Sequence, residues 1–352
     1  MAPTRVLITG ATGFIGGSIL SHLLSSNKEA TRSLEISVLT RNDNRAHHYA
    51  SSNLQVYTIQ DLDDSAAITA AASENDIVIH AASGYHTPSA KALIEGLGER
   101  KRQNPNAEVY YIHTSGTSNL ADCPITGTFV ESRIFSDKDQ DIYNYMKERE
   151  AEEKYAQRTT DLVVVETGKV QNVPTTIIMS PTIYGLGSGK FNRLTIQYPR
   201  QMRGALQEGR AEFVGDGHGT WDFVHILDLA LLYEIVLLDW VEDRRVVPVG
   251  EQGIMFSGTG RFTWKEVAEG IAKAGVELGR FESADTRSIT LEEAAKKWVG
   301  GDERLCELGF ASNARTTAEI GRQLGWTPTR TRADWERSFR DELGEILKED
   351  AA

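Results

Sequence analysis

Val6-Leu-Ile-Thr9 runs without interruption into Gly10-Ala-Thr-Gly13-Phe-Ile-Gly16. A short β-branched run followed at once by the apolar periodicity of Phe14 to Leu24 predicts a strand that turns directly into a helix. Such a turn presents unpaired backbone N–H groups at a helix N-terminus, where the helix dipole also favours an anion. Gly10 permits the tight turn, Gly13 lets a phosphate approach closely, and Gly16 lets the helix pack on the sheet. The spacing is GxxGxxG, not GxGxxG, so its place at the first strand and first helix carries the inference. Gly10, Thr12, Gly13, Phe14, Ile15 and Gly16 are the expected contacts of a dinucleotide.

Outward from this turn, strand-like runs alternate with helical ones. Ile36 to Thr40, Leu54 to Ile59, Asp76 to His80, Val109 to His113 and Thr175 to Met179 read as strands, with helical patterns between them. That alternation predicts an α/β fold, a Rossmann-type doubly wound parallel sheet covered on both faces. Beyond Pro181 the texture is polar and glycine-rich to Gly219, apart from a helical stretch near Arg193 to Leu206. An apolar helix follows from about Ile226 to Trp240, then a charged helical C-terminal part. The expected division is a dinucleotide-binding domain over 1–185, to which 220–258 returns, and a smaller, mainly helical substrate lobe over 186–219 and 259–352.

The 352 residues are 40% hydrophobic and 25% charged, enough apolar material for two cores. The net charge of −12 argues against nucleic acid as a partner, because phosphate backbones demand a basic surface. Leu227 to Val241 is the most apolar run, but Asp228, Glu234 and Asp239 interrupt it, so no membrane span is expected. The N-terminus lacks the pattern of a secretory signal. Cys123 and Cys306 form neither a disulfide framework nor a metal-ligand spacing, so a cytoplasmic protein without a metal is expected. His218 and His225 read as packing or loop residues.

The second strand should end where the adenosine ribose is read, a carboxylate there favouring a free 2′-OH and an arginine a 2′-phosphate. This strand ends Thr40-Arg41-Asn42, so Arg41 favours NADP over NAD, with Asp43 as a late acid. His80-Ala81-Ala82-Ser83 supplies small residues suited to close passage of the cofactor.

Tyr143-Asn-Tyr-Met-Lys147 is the only YxxxK in the chain and places Tyr143 and Lys147 on one helix face. An ammonium beside a phenol lowers its pKa and makes it a workable acid toward a carbonyl oxygen. Lys147 is also expected to hold the nicotinamide ribose. A hydroxyl from Thr114-Ser-Gly-Thr117-Ser118 would complete the site by donating to developing charge, Ser115 first and Thr117 second. Lys147 to Lys154 reads as a solvated, ion-paired helix face.

These residues resemble the extended short-chain dehydrogenase/reductase family of epimerases, dehydratases and carbonyl reductases. The resemblance runs through Thr9 to Gly16, Asp61-Leu62, His80 to Ser83, Tyr143 with Lys147 and Pro181-Thr-Ile-Tyr-Gly185. It continues through Gly215-Asp-Gly217, Trp221-Asp-Phe-Val-His225 with Asp228, and Leu324 to Pro328. It implies Asp61 and Leu62 near adenine, Pro181 and Ile183 near nicotinamide, a C-terminal substrate lobe and a homodimer. Relatives acting on sugar nucleotides usually carry arginines where this chain has Trp221 and Ser180. Trp221 cannot grip a pyrophosphate and, facing the site, would favour an apolar substrate, although Arg193, Arg200 and Arg203 are available for a phosphate. The expected activity is an NADP-dependent carbonyl reductase or dehydrogenase of a small non-nucleotide substrate. The alternatives are a sugar-nucleotide epimerase or dehydratase with tightly bound NAD, and a non-catalytic NADP-sensing protein.

Overall fold

The computed structural model describes residues 3–41, 44–51, 54–139 and 141–350. Strands β1 (Arg5–Thr9), β2 (Glu35–Arg41), β3 (Gln55–Ile59), β4 (Ile77–His80) and β5 (Tyr110–Gly116) alternate with helices α1 (Phe14–Ser25), α2 (Glu29–Arg32), α3 (Asn44–Ala50), α4 (Ser65–Ser73) and α5 (Thr87–Gln103). The short strand β6 (Phe135–Ser136) follows. Helices α6 (Ile142–Glu152) and α7 (Ala156–Gln171) then lead into β7 (Thr175–Ser180) and β8 (Thr182–Tyr184). Val6, Leu7, Ile8, Ile77, Val78, Ile79 and Ile112 are all fully buried, which is why these strands read as unbroken apolar runs: helices cover both faces.

The remaining elements are α8 (Gln197–Glu208), β9 (Ala211–Val214), β10 (Thr220–His225), α9 (Ile226–Val241), β11 (Ile254–Phe256), β12 (Gly260–Thr263), α10 (Trp264–Glu277) and β13 (Thr286–Ile289). The chain closes with α11 (Leu291–Trp298), α12 (Glu303–Phe310), β14 (Thr316–Thr317), α13 (Ile320–Gln323) and α14 (Arg332–Glu349).

Seven strands form one parallel sheet in the order β11-β7-β5-β4-β1-β2-β3. Helices α1, α2 and α9 pack together on one face and α4, α5 and α7 on the other, the doubly wound Rossmann arrangement. The chain winds outward from β1 to β3 and then returns to β4 on the other side of β1. That reversal opens a crevice at the C-terminal ends of β1 and β4.

After β8 the chain divides its elements between two cores. Helix α9 packs against α1 and β11 becomes the edge strand of the large sheet, beside β7. Strand β10 instead joins β8 and β12 in a separate three-stranded sheet, so within 220–258 this strand stays on the lobe side. A second apolar cluster, centred on Trp264, Trp335, Phe262, Phe339 and Tyr198, holds the lobe together. Among the described residues, no helix is long and apolar enough to cross a membrane.

Candidate active site at the C-terminal crevice

Gly10 sits at φ +72°, in the left-handed region that glycine tolerates best. A Cβ added there would lie 2.4 Å from the carbonyl oxygen of Ala81 and 2.7 Å from the Cα of Ala82. The small residues after β4 thus press on the turn after β1, at the switch point itself. A Cβ on Gly16 would lie 2.4 Å from the carbonyl oxygen of Gly10, so the helix can approach only as glycine. Gly13 is the N-cap of α1 and offers no side-chain acceptor to the first turn. Its own absent Cβ would meet only the carbonyl oxygen of Gly10, at 3.2 Å. The N-terminus of α1 is therefore a backbone cradle for an anion, and a diphosphate fits it.

Thr12 and Ile15 are half-buried beside this cradle and Phe14 is buried. Arg41 is exposed at the C-terminal end of β2, and Asp43 lies outside the described residues. Asp61 and Leu62 follow β3, Leu62 packing against the main core. Ser83 accepts a hydrogen bond from the Tyr85 amide at 3.3 Å in the loop after β4. Pro181 and Ile183 are buried at the C-terminal end of β7. The structure thus brings these residues to the same end of the sheet as the glycine turn.

Tyr143 and Lys147 are not brought there. Helix α6 is an insertion before the helix that covers the sheet, and it packs on α7 and on the 3₁₀ turn Gly250–Gln252 that precedes β11. The Tyr143 hydroxyl meets Glu166 at 3.5 Å. Helix α7 runs antiparallel to the strands, so Glu166, eleven residues beyond Tyr155, lies about 16 Å along its axis toward the N-terminal edge of the sheet. Burial, Glu166 and Glu251 raise the phenol to about 12, the reverse of the expected acidification. The Lys147 ammonium stands 5.5 Å from the centre of the Tyr143 ring, over its face and not at its hydroxyl.

Of the two expected hydroxyls, Ser115 is committed elsewhere and Thr117 is enclosed. Ser115 donates to the buried carboxylate of Asp161 at 2.6 Å, and Asn119 donates to the same oxygen. Thr117 is fully buried and its hydroxyl has no partner. Lys147 to Lys154 is not wholly solvated either: Arg149 is buried with its guanidinium 3.3 Å from the centre of the Phe129 ring.

A different group of hydroxyls occupies the crevice. Tyr155, the N-cap of α7, donates to Ser118 at 3.2 Å, and Ser118 donates to the side-chain oxygen of Gln157 at 2.6 Å. The Tyr85 hydroxyl lies 3.0 Å from that of Tyr155, and their rings meet edge to face. With Tyr155 donating to Ser118, Tyr85 donates to Tyr155, and the bonds form one directed chain. Tyr85 is half exposed and forms its outer end. Burial, then the neighbouring Tyr85, pushes the Tyr155 phenol well above its usual range.

Glu150 holds the start of α7 in place. Its carboxylate accepts from the Tyr155 amide and the Arg158 Nε, each at 3.1 Å, and from the Thr159 hydroxyl. The other guanidinium nitrogens of Arg158 donate to the carbonyl oxygens of Asn119 and Glu153. One turn after Tyr155, where a lysine would stand in a YxxxK pattern, the residue is Thr159. Tyr155 was legible as the residue opening the apolar stripe Leu162, Val164, Val165 and Gly168, which runs straight into β7.

Of the three arginines expected to be available for a substrate phosphate, two are paired, and Arg200 is exposed with no ion-pair partner among the described residues. Trp221 is buried in the lobe core, donating to Ser312 at 2.9 Å and tilted against Trp264, so it does not line the site as expected. Arg193 pairs with Glu345 and Arg203 with Glu349. Among the described residues, no group of three His, Cys, Asp or Glu side chains could hold a metal ion.

Comparison with known proteins agrees with the topology. The model of the NAD dependent epimerase/dehydratase family matches residues 6–250. Oxidase ucsJ of Acremonium sp. is 29% identical over 341 residues, covering 92% of each chain. An uncharacterised protein of Saccharomyces cerevisiae is 29% identical over 267 residues, covering 73% of this chain and 78% of its own. Among solved structures, DesIV, a dTDP-glucose 4,6-dehydratase from Streptomyces venezuelae with NAD bound, superposes with a TM-score of 0.66. It is 16% identical, with 98% of this chain and 97% of that one covered. The UDP-glucuronic acid 4-epimerase of Bacillus cereus, with its NAD, gives 0.62 at 15% identity, covering 97% and 100%. With its glycine cradle at the switch point and its family match running through β11's approach, this chain belongs to the NAD dependent epimerase/dehydratase family.

Proposed function

We propose that the protein is an NADP-dependent oxidoreductase of a small, non-nucleotide organic carbonyl or alcohol, working through Tyr155, Tyr85 and Ser118. The observation that carries this reading is the directed chain Tyr85–Tyr155–Ser118–Gln157, set at the C-terminal ends of β4 and β5. The backbone of Gly10 to Gly16 would hold the cofactor diphosphate, Arg41 its 2′-phosphate, and Pro181 and Ile183 the nicotinamide side. When bound, that cofactor supplies or accepts hydride at the substrate carbon.

The chain's own part is proton traffic and positioning. In the reducing direction the Tyr155 hydroxyl gives its proton to the carbonyl oxygen, and Tyr85, reached by solvent, returns one to Tyr155. Ser118 shares the same hydrogen-bond chain and can turn its proton toward developing negative charge. Glu150 sets the rotation of the first turn of α7, and with it the ring of Tyr155. Trp221 in the core and the glutamate-paired Arg193 and Arg203 support a substrate without a pyrophosphate.

Soaking crystals with NADP and surveying carbonyl substrates with NADPH test the reading. Turnover of uncharged carbonyls is the expected outcome; turnover confined to nucleotide sugars would overturn it. One observation favours a second reading, a cofactor-binding protein without turnover: Thr159 stands where a cation would acidify Tyr155. Cofactor binding with no activity on any carbonyl or alcohol in the survey is its signature.

A further inference from the structure

The segment Gly185 to Arg193 reads Gly-Leu-Gly-Ser-Gly-Lys-Phe-Asn-Arg and lies as a strap against the cofactor cradle. Its base is closed by the Gly187 amide on the carbonyl of Arg193 at 2.8 Å and by the Arg193 Nε on the carbonyl of Gly187 at 2.9 Å. Gly189 abuts α1 so closely that a Cβ there would lie 2.9 Å from the backbone of Gly17. On either side, the Ser188 amide donates to the Ser18 hydroxyl at 3.2 Å and the Asn192 amide to the carbonyl of Thr12 at 3.4 Å. Phe191 packs edge-on against Tyr49, whose hydroxyl donates to the carbonyl of Ala11 at 2.7 Å. The contacts with Ala11 and Thr12 use acceptors of the glycine turn, so its N–H donors are not consumed by them.

Between these docking points stands Lys190. It is exposed and, among the described residues, has no ion-pair partner. Its neighbours on either side are docked at Gly17 (Gly189) and at Thr12 (Asn192), so Lys190 stands alongside the first turn of α1. We propose that the strap is a second diphosphate-binding element and that Lys190 supplies the countercharge to the anion cradled by Gly10 to Gly16. The first turn of α1 offers backbone dipoles and no basic side chain of its own, Arg45 stands over the Phe191 ring, and a lysine acts as a mobile point charge toward phosphate. This rests on the proposed cofactor reading, and it adds a contact from the segment after β8 to the diphosphate end of a site whose anion cradle is otherwise built from the turn after β1.

The test is titration of the full-length protein with NADPH and with NADH, followed by tryptophan fluorescence. In Lys190→Met the affinity for both should fall together, by about 10-fold, with a shallower dependence on salt, while Lys190→Arg retains most of it. Gly189→Ala, which forces the strap off Gly17, should reproduce the joint loss. Unchanged affinity in Lys190→Met would overturn the proposal, and so would a loss confined to NADPH, which would place Lys190 at the 2′-phosphate instead. An intact protein that binds neither cofactor would remove the cofactor reading itself. Binding by the intact protein with no effect of Lys190→Met would remove only the strap's part. Because Lys190 is exposed, the melting temperature of the unliganded variant should match the parent.

Discussion

The hydroxyl of Tyr143 and the carboxylate of Glu166 face each other at 3.5 Å, and that pairing anchors Tyr143 toward the N-terminal edge of the sheet. The hydroxyl that faces the crevice belongs to Tyr155. Tyr143→Phe is therefore expected to leave cofactor binding unchanged and turnover within about 2-fold, whereas Tyr155→Phe should lower turnover by about 100-fold or more. Steady-state kinetics of the two variants with one shared substrate decides between them.

Arg41 ends β2 with its side chain exposed. Arg41→Ala should weaken NADPH by about 10-fold, the scale of one charge-assisted phosphate contact, and leave NADH unchanged. Calorimetric titration with each cofactor measures the difference. Equal affinity of the parent for both would exclude a 2′-phosphate site there.

Glu234 is buried in α9, and burial opposes its ionisation. Hydrogen bonds from His22, Ser26, Lys28 and Thr31 outweigh that cost and hold the carboxyl well below the usual carboxylate range. Because the folded value is depressed, its stabilisation is present above the unfolded value and is lost as pH falls below about 4. Glu234→Gln should cost about 2–3 kcal/mol at pH 7 and flatten the acid limb of the stability curve. Urea unfolding at pH 7 and at pH 3 reads both effects.

Glu342 shows the opposite sign. Burial raises its carboxyl to about 8, although the Gly185 amide donates to it at 2.7 Å. The stability tied to its proton is complete below the unfolded value and is lost as pH rises through about 8. Glu342→Gln keeps an acceptor for Gly185 without needing that proton. Its melting temperature should rise relative to the parent between pH 6 and pH 9, and a constant difference would refute the assignment.

Much of this architecture was written locally. The strand read over Val6 to Thr9 and the helix from Phe14 form as their periodicity requires, and the sheet strands differ from their sequence patterns by at most a few residues at the ends. The expected place of Tyr143 and Lys147 at the crevice is not the one they take, because it required choosing between consecutive helices. A YxxxK spacing places Tyr143 and Lys147 on one face, but spacing cannot say which helix lies on the sheet. Helix α7 lies there because Leu162, Val164 and Val165 bury against it and Asn172, in the left-handed conformation, turns the chain into β7. Ser115 was displaced by Asp161, forty-six residues away, and Trp221 by Ser312 and Trp264. Such long-range partners leave no local trace.

Strand β11 closes the edge of the large sheet seventy residues after the end of β8, which belongs to the small sheet. The polypeptide between them builds most of the lobe's first half and α9, so the two bodies are threaded through one another instead of joined by a single tether. A truncation at Gly185 would strip β7 of a neighbour and α1 of its cover, and neither piece should survive alone. Co-expressed halves would have to find each other to regain solubility, and limited proteolysis within 186–193 should leave a nicked protein that still migrates as one particle.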